Sequence, residues 1–208
     1  MLKKFTIFIL CGFLTFSIQA QNFGGGAILG ISTSQVGGDN LGGFNKAGFL
    51  IGIFANKSIS ELLSFQMEMT YIQKGSNNPD MNDVGHANQG RLDISLSYIE
   101  VPLLLQYHQS SKLKIEGGLL SAYLINGYYN DNYGEIDPTN GPLFINYDIG
   151  LLLGMDYKFS NKLSLNTRIS NSILPIGTKN YEDTSTYNSF TKGQYNTVIS
   201  FALHYNFR

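Results

Sequence analysis

The last fifteen residues, QYNTVISFALHYNFR, alternate with a period of two. Tyr195, Thr197, Ile199, Phe201, Leu203, Tyr205 and Phe207 form one set; Asn196, Val198, Ser200, Ala202, His204, Asn206 and Arg208 form the other. Successive side chains of a strand point to opposite faces, so this segment has one large apolar face and one small or polar face. Strands of soluble proteins run to about five or six residues. A two-faced strand this long calls for a large sheet or a membrane.

The pattern recurs along the chain. In 63–72, Leu63, Phe65, Met67, Met69 and Tyr71 oppose Ser64, Gln66, Glu68 and Thr70. In 144–159 the apolar set runs from Ile145 to Phe159 on odd positions, against Asn146, Asp148, Gly150, Gly154, Asp156 and Lys158. Eight such segments are expected, at 24–35, 44–56, 63–75, 91–107, 113–127, 144–158, 163–174 and 194–208. The second is the least regular, with Leu50 and Phe54 on the face opposite Phe49, Ile51 and Ile53. Connections near 57–62, 108–112 and 159–162 are short; those near 36–43, 76–90, 128–143 and 175–193 are longer and rich in Asn, Gly, Asp and Tyr.

An even number of long strands, with short turns at one end and long loops at the other, predicts an all-β fold. The expected architecture is an eight-stranded antiparallel up-and-down transmembrane β-barrel with short periplasmic turns and longer extracellular loops. Closing the sheet leaves no unpaired edge in lipid. A lipocalin-like barrel has the same strand count with its apolar face inward. Here the face opposite the apolar one mixes Gly, Ser, Asn and both signs of charge, which suits a hydrated or salt-bridged interior. Tyr71, Tyr98, Tyr107, Tyr123, Tyr128, Tyr147, Tyr157, Phe159, Tyr195, Tyr205 and Phe207 crowd the segment ends, as interfacial aromatic girdles do.

The first residues supply a route to the outer membrane. Lys3 and Lys4 precede an apolar run from Phe5 to Ile18, and Ala20 ends it before QNFGGG. This is the layout of a secretory signal peptide, 1–20, cleaved to leave a single barrel domain at 21–208. The apolar run is shorter than the roughly 20 residues of a spanning helix. Cys11 goes with the leader, so no disulfide or thiol chemistry is expected of the mature chain. Without Lys3 and Lys4, twelve basic residues face fifteen acidic ones, a net charge of −3, and nucleic acid is not an expected partner.

The fourth segment, RLDISLSYIEVPLLLQY, changes phase. Leu92, Ile94, Leu96 and Tyr98 hold one apolar parity, and Ile99, Val101, Leu103, Leu105 and Tyr107 the other. The expectation is a β-bulge at Tyr98–Ile99, supported by Pro102, which lacks a ladder donor in a barrel without edges. SYIEVPLLLQY resembles a stretch of the PorT-like outer-membrane β-barrel proteins, Tyr-(Leu/Ile)-Glu-(Ile/Val)-Pro-Leu-Leu-Leu-x-Tyr. The resemblance extends through GGGAILGIS, LSFQMEMTYIQKG, IEGGLLSAYLINGYY and YDIGLLLGMDYKFSNKLSLNTRIS. It implies an eight-stranded outer-membrane barrel; the family's namesake takes part in secretion across the outer membrane.

With the apolar face on lipid, Glu68, Asp93, Glu100, Glu116, Asp148 and Asp156 point into the lumen with Lys114, Lys158, Arg168, Arg91 and Arg208. Charges in a narrow barrel must be paired or hydrated, and eight strands leave just enough room for side chains. A salt-bridged structural filling is expected. No metal or cofactor is expected: His86, His108 and His204 are scattered, PDMNDVG lacks the ligands of a calcium loop, and Asp131, Glu135 and Asp137 read as a solvated loop. Ser200 and His204 share the inward face without an orienting acid. Phe207, followed by Arg208, stands where outer-membrane barrels carry a terminal aromatic read by the assembly machinery.

The functional expectation is a non-enzymatic structural or accessory barrel, such as a component of a secretion or assembly complex. A narrow channel for ions or small solutes is the alternative, and a lipid-modifying enzyme a minor one. Expected partners are outer-membrane lipid and lipopolysaccharide, the barrel-assembly machinery during biogenesis, and secretion-complex proteins.

Overall fold

The computed structural model describes residues 23–37, 43–77, 93–131, 134–135, 142–177 and 193–207. The expected leader, Arg91 and Arg208 lie outside them. The strands are β1 (Phe23–Gly37), β2 (Lys46–Ser58), β3 (Leu63–Asn77), β4 (Asp93–His108), β5 (Leu113–Asp131), β6 (Gly134–Glu135), β7 (Tyr147–Lys158), β8 (Leu163–Ser172) and β9 (Tyr195–Asn206). The two-residue β6 merely extends β5. The other eight form a ring in the order β4-β3-β2-β1-β9-β8-β7-β5, and β5 pairs back onto β4. Every pairing is antiparallel. First and last spanning strands meet from Gly26↔Asn206 to Gly37↔Tyr195, so the alternation at the end of the chain is that of the closing strand.

Faces follow parity. Even-numbered residues point inward along the spanning strands, save the part of β5 beyond Ile125, and odd-numbered ones such as Leu29, Ile51, Met69, Leu103, Leu153 and Phe201 lie exposed on the outer wall. From Tyr147 to Tyr157 the outward residues of β7 are uninterrupted aromatics, aliphatics and Met155. Ten residue steps at about 3.3 Å, tilted by about 40°, cover roughly 25 Å, the height of the apolar band of an outer-membrane barrel. Among the described residues no helix is long and apolar enough to cross a membrane; strands make the crossing.

The aromatic girdles are present with one exception. Phe65, Tyr107, Tyr157, Phe159, Tyr205 and Phe207 are exposed at the end with short turns, and Phe49, Tyr123 and Tyr147 farther up the wall. Tyr98 is no girdle residue: it is 0% exposed and points into the lumen.

That correction extends to the bulge. β4 does not change phase; Ile94, Leu96, Tyr98, Glu100, Pro102 and Leu104 are all buried on one face. The register does shift at this level, but the extra residue belongs to the neighbouring strand. Ser97 pairs Asn126 and Tyr98 pairs Leu124, which leaves Ile125 of β5 unmatched. Ile125 and Asn126 are both exposed, and β5 continues with odd positions inward. The apolar residues of β4 point inward because this end of the lumen is itself apolar, closed over by Val36, Phe144 and Ile176. Bonds Ile145 N→Ile176 O and Ile176 N→Gln194 O, 2.7 Å each, hold that cap. Pro102 does interrupt a ladder: β3 and β4 pair up to Met67↔Leu103 and resume at Thr70↔Glu100.

The three short turns share one construction. Ser60, Ser110 and Ser160 each accept bonds through Oγ from the amides two and three residues on. Each serine amide donates to the carbonyl of the leucine that opens the next strand, Leu63, Leu113 or Leu163. A side-chain acceptor thereby satisfies donors that the reversing backbone cannot place in a ladder. Neighbouring hairpins are then joined by identical 2.8 Å bonds, His108 N→Leu62 O, Lys158 N→Lys112 O and Asn206 N→Lys162 O.

Candidate functional site

The lumen is where this chain concentrates its chemistry. Because inward positions recur every second residue on eight strands, residues far apart in sequence meet across it. Near the end with short turns, Arg168 of β8 reaches Glu68 of β3 with two bonds, Nη1 to Oε2 and Nη2 to Oε1, both 2.6 Å. In the ring order β8 and β3 are four strands apart in either direction, so this fork spans the barrel's diameter. Arg168 Nε donates to Glu116 Oε1 of β5 at 2.5 Å. A planar guanidinium with its donors in a fixed fork suits two carboxylates in this way; an ammonium does not.

The carboxylates are held in turn. Gln66 Nε2 donates to Glu68 at 2.6 Å, and Gln106 Nε2 and Asn166 Nδ2 donate to Glu116 at 2.9 Å each. Gly154 makes room for the cluster: a Cβ there would lie 2.8 Å from Arg168 Cγ and 3.2 Å from Glu116 Oε1. Below it, Ser64 Oγ donates to Gln106 Oε1 at 3.1 Å and lies 2.9 Å from His108 Nε2. Asp156 Oδ2 accepts from Ser164 at 2.7 Å and lies 3.8 Å from His204 Nδ1, whose ring stacks on Phe54.

A second cluster lies towards the loops. Lys74 Nζ of β3 is 2.5 Å from Glu100 Oε1 of β4 and 3.7 Å from Asp148 Oδ2 of β7, with Nζ 5.0 Å from the Tyr98 ring centroid. Asp148 Oδ2 also accepts from Ser172 Oγ at 2.9 Å and Asn196 Nδ2 at 3.0 Å. Ile28, Leu50, Ile72, Leu120 and Leu152 are buried inward residues on five different strands. Charge this deep is tolerable because each ionic group has partners, and removal of one partner is costly.

Of the residues expected in the lumen, Glu68, Glu100, Glu116, Asp148, Asp156 and Arg168 are there and buried. Asp93 is a rim residue, paired with Lys46 at 2.6 Å. Lys114 and Lys158 stand half-buried at the mouth with short turns and join neither cluster. Lys74 is a lumen cation the sequence reading passed over, although it continues the even parity of Glu68, Thr70 and Ile72. Ser200 and His204 do face inward, in a packed interior, and the expected lack of an acid beside them does not hold, since Asp156 Oδ2 lies 3.8 Å from His204 Nδ1; His86 lies outside the described residues. Phe207 is exposed beside β1, its amide bonded to Gly25 O at 3.0 Å.

Comparison with solved structures shows the same architecture elsewhere. Ail, the attachment invasion locus protein of Yersinia pestis, is similar to 89% of this chain over 99% of its own, with a TM-score of 0.50 and 8% identity. Neisserial surface protein A is similar over 89% of this chain and 97% of its own, with a TM-score of 0.50 and 16% identity. At such identities the likeness is one of fold. No curated protein matches the sequence. The sequence profile described as "outer membrane protein beta-barrel domain" matches residues 19–177. That match covers most of the chain and, with the closed ring of eight strands, makes this protein a member of the outer membrane protein beta-barrel domain family.

Proposed function

We propose that this protein is a non-enzymatic, closed-lumen barrel of the PorT-like kind, an accessory component of the outer membrane whose loops or turns engage a secretion or assembly complex. The observation that carries the reading is the Arg168–Glu68 fork across the full diameter, capped at the other end by Phe144 and Ile176. A lumen filled in this way is a stabilising core, and the surfaces left to act are those outside it. Ser64 and His108 touch, but the hydroxyl is buried and bonded to Gln106, and the described residues offer no acid to orient the imidazole.

The surplus of buried carboxylates over cations favours a second reading, a narrow cation path. Planar-bilayer recording of the refolded barrel separates the two. The sealed reading expects no discrete conductance steps in wild type, and steady steps in wild type would sink it. Affinity purification from native membranes in mild detergent then tests the accessory role, which expects a stoichiometric co-purifying partner and fails if the barrel is recovered alone.

A further inference from the structure

The two hairpin ends β4–β5 and β7–β8 carry Lys112, Lys114, Lys158 and Lys162. The bond Lys158 N→Lys112 O places these ends side by side, and the register sets Lys114 opposite Asp156 and Lys158 opposite Ser164. Lys112 and Lys162 occupy the same position in their turns, two residues after the bonding serine, and both are exposed. None of the four joins a described ion pair. Within the turn segments 58–62, 108–112 and 158–162 the one acidic residue is Glu61, on the remaining hairpin. Asp156, the nearest carboxylate in register, is buried and bonded to Ser164.

Beside these turns the outer wall carries Tyr157 and Phe159, both exposed, with ring centroids 5.4 Å apart. Such rings mark the level at which hydrocarbon gives way to headgroups. Lys112 and Lys162, exposed on adjacent turns, therefore stand at or just beyond the headgroup level of the periplasmic leaflet, while Lys114 and Lys158 face the mouth of the lumen behind them. Lysine binds phosphate as a mobile point charge, and each lysine near an anionic leaflet is worth about 1 kcal/mol of attraction, roughly fivefold in affinity.

We infer that the β4–β5 and β7–β8 hairpin ends form a binding surface for anionic phospholipid headgroups of the periplasmic leaflet, with Tyr157 and Phe159 bordering the acyl chains. The inference rests on the membrane reading of the barrel but not on its sealed lumen, and conductance and lipid binding are scored separately. The test is native mass spectrometry of the full mature chain, refolded in detergent with equal phosphatidylglycerol and phosphatidylcholine. Retained phosphatidylglycerol should exceed phosphatidylcholine by at least about threefold, falling to parity in Lys112→Gln/Lys162→Gln. The corresponding double arginine variant should keep the preference. Heat-modifiable gel mobility checks that every variant is folded. Equal retention of the two lipids by wild type, or an unchanged preference in the folded glutamine variant, would overturn the proposal and leave these lysines to an acidic protein partner or to solvent.

Discussion

At the scale of single residues, Arg168 decides most. Replacing it with methionine leaves Glu68 and Glu116 buried without a counter-charge, a defect of about 3–5 kcal/mol. Lysine restores the charge but not the fork, so Arg168→Lys should fall between the two. Urea unfolding from lipid vesicles, followed by gel mobility, should rank wild type above Arg168→Lys above Arg168→Met; coincident midpoints would show that the fork carries no stability. Six inward ionic residues were legible in the sequence because parity alone assigns a face. Their partners were not, since Arg168 and Glu68 stand 100 positions apart and meet only through the ring order of the strands. The same parity reaches Lys74, whose ammonium meets Glu100 and Asp148 only once β3, β4 and β7 are brought together.

At the scale of elements, β5 shows why periodicity can mislead. Ile125 is an inserted outward residue, so the strand faces one way before it and keeps its lumen residues inward after it only by a change of parity. Deleting Ile125 restores plain alternation without moving any other side chain to the wrong face. Deleting Leu119, in the regular part of the same strand, turns Leu120, Ala122 and Leu124 to the lipid face. The expected outcome is a folded, heat-modifiable barrel for the first deletion and none for the second. Equal behaviour of the two would contradict the bulge. The sequence placed the irregularity at the right height but on the wrong strand, because Ile94, Leu96 and Tyr98 were assumed to face lipid. They face an apolar cap built by Phe144 and Ile176, residues on connections whose packing no strand pattern encodes.

At the scale of the whole molecule, the strand count, the short turns and the closed sheet were readable because a membrane leaves few other solutions. Closure depends on β9, and the final aromatic stays outside the packed interior: Phe207 is exposed on the wall and touches the ring of Tyr205. Phe207→Ser should therefore slow delivery into the outer membrane in cells while leaving the urea midpoint of the refolded protein within about 0.5 kcal/mol of wild type. Pulse-chase of heat-modifiable protein against in vitro unfolding measures both. A large drop in the midpoint would make Phe207 a structural residue instead.

The fork between β8 and β3 has a mechanical side as well. A ring of hinged staves under lateral pressure tends to flatten into an oval, and a tie bar across its bore resists this. Arg168 and Glu68 form such a bar, of fixed length and with two fastenings at one end, while Glu116 braces it from a third stave. The same bar gauges the bore: a barrel assembled with strands slipped by two residues, or with one stave too many, could not fasten it.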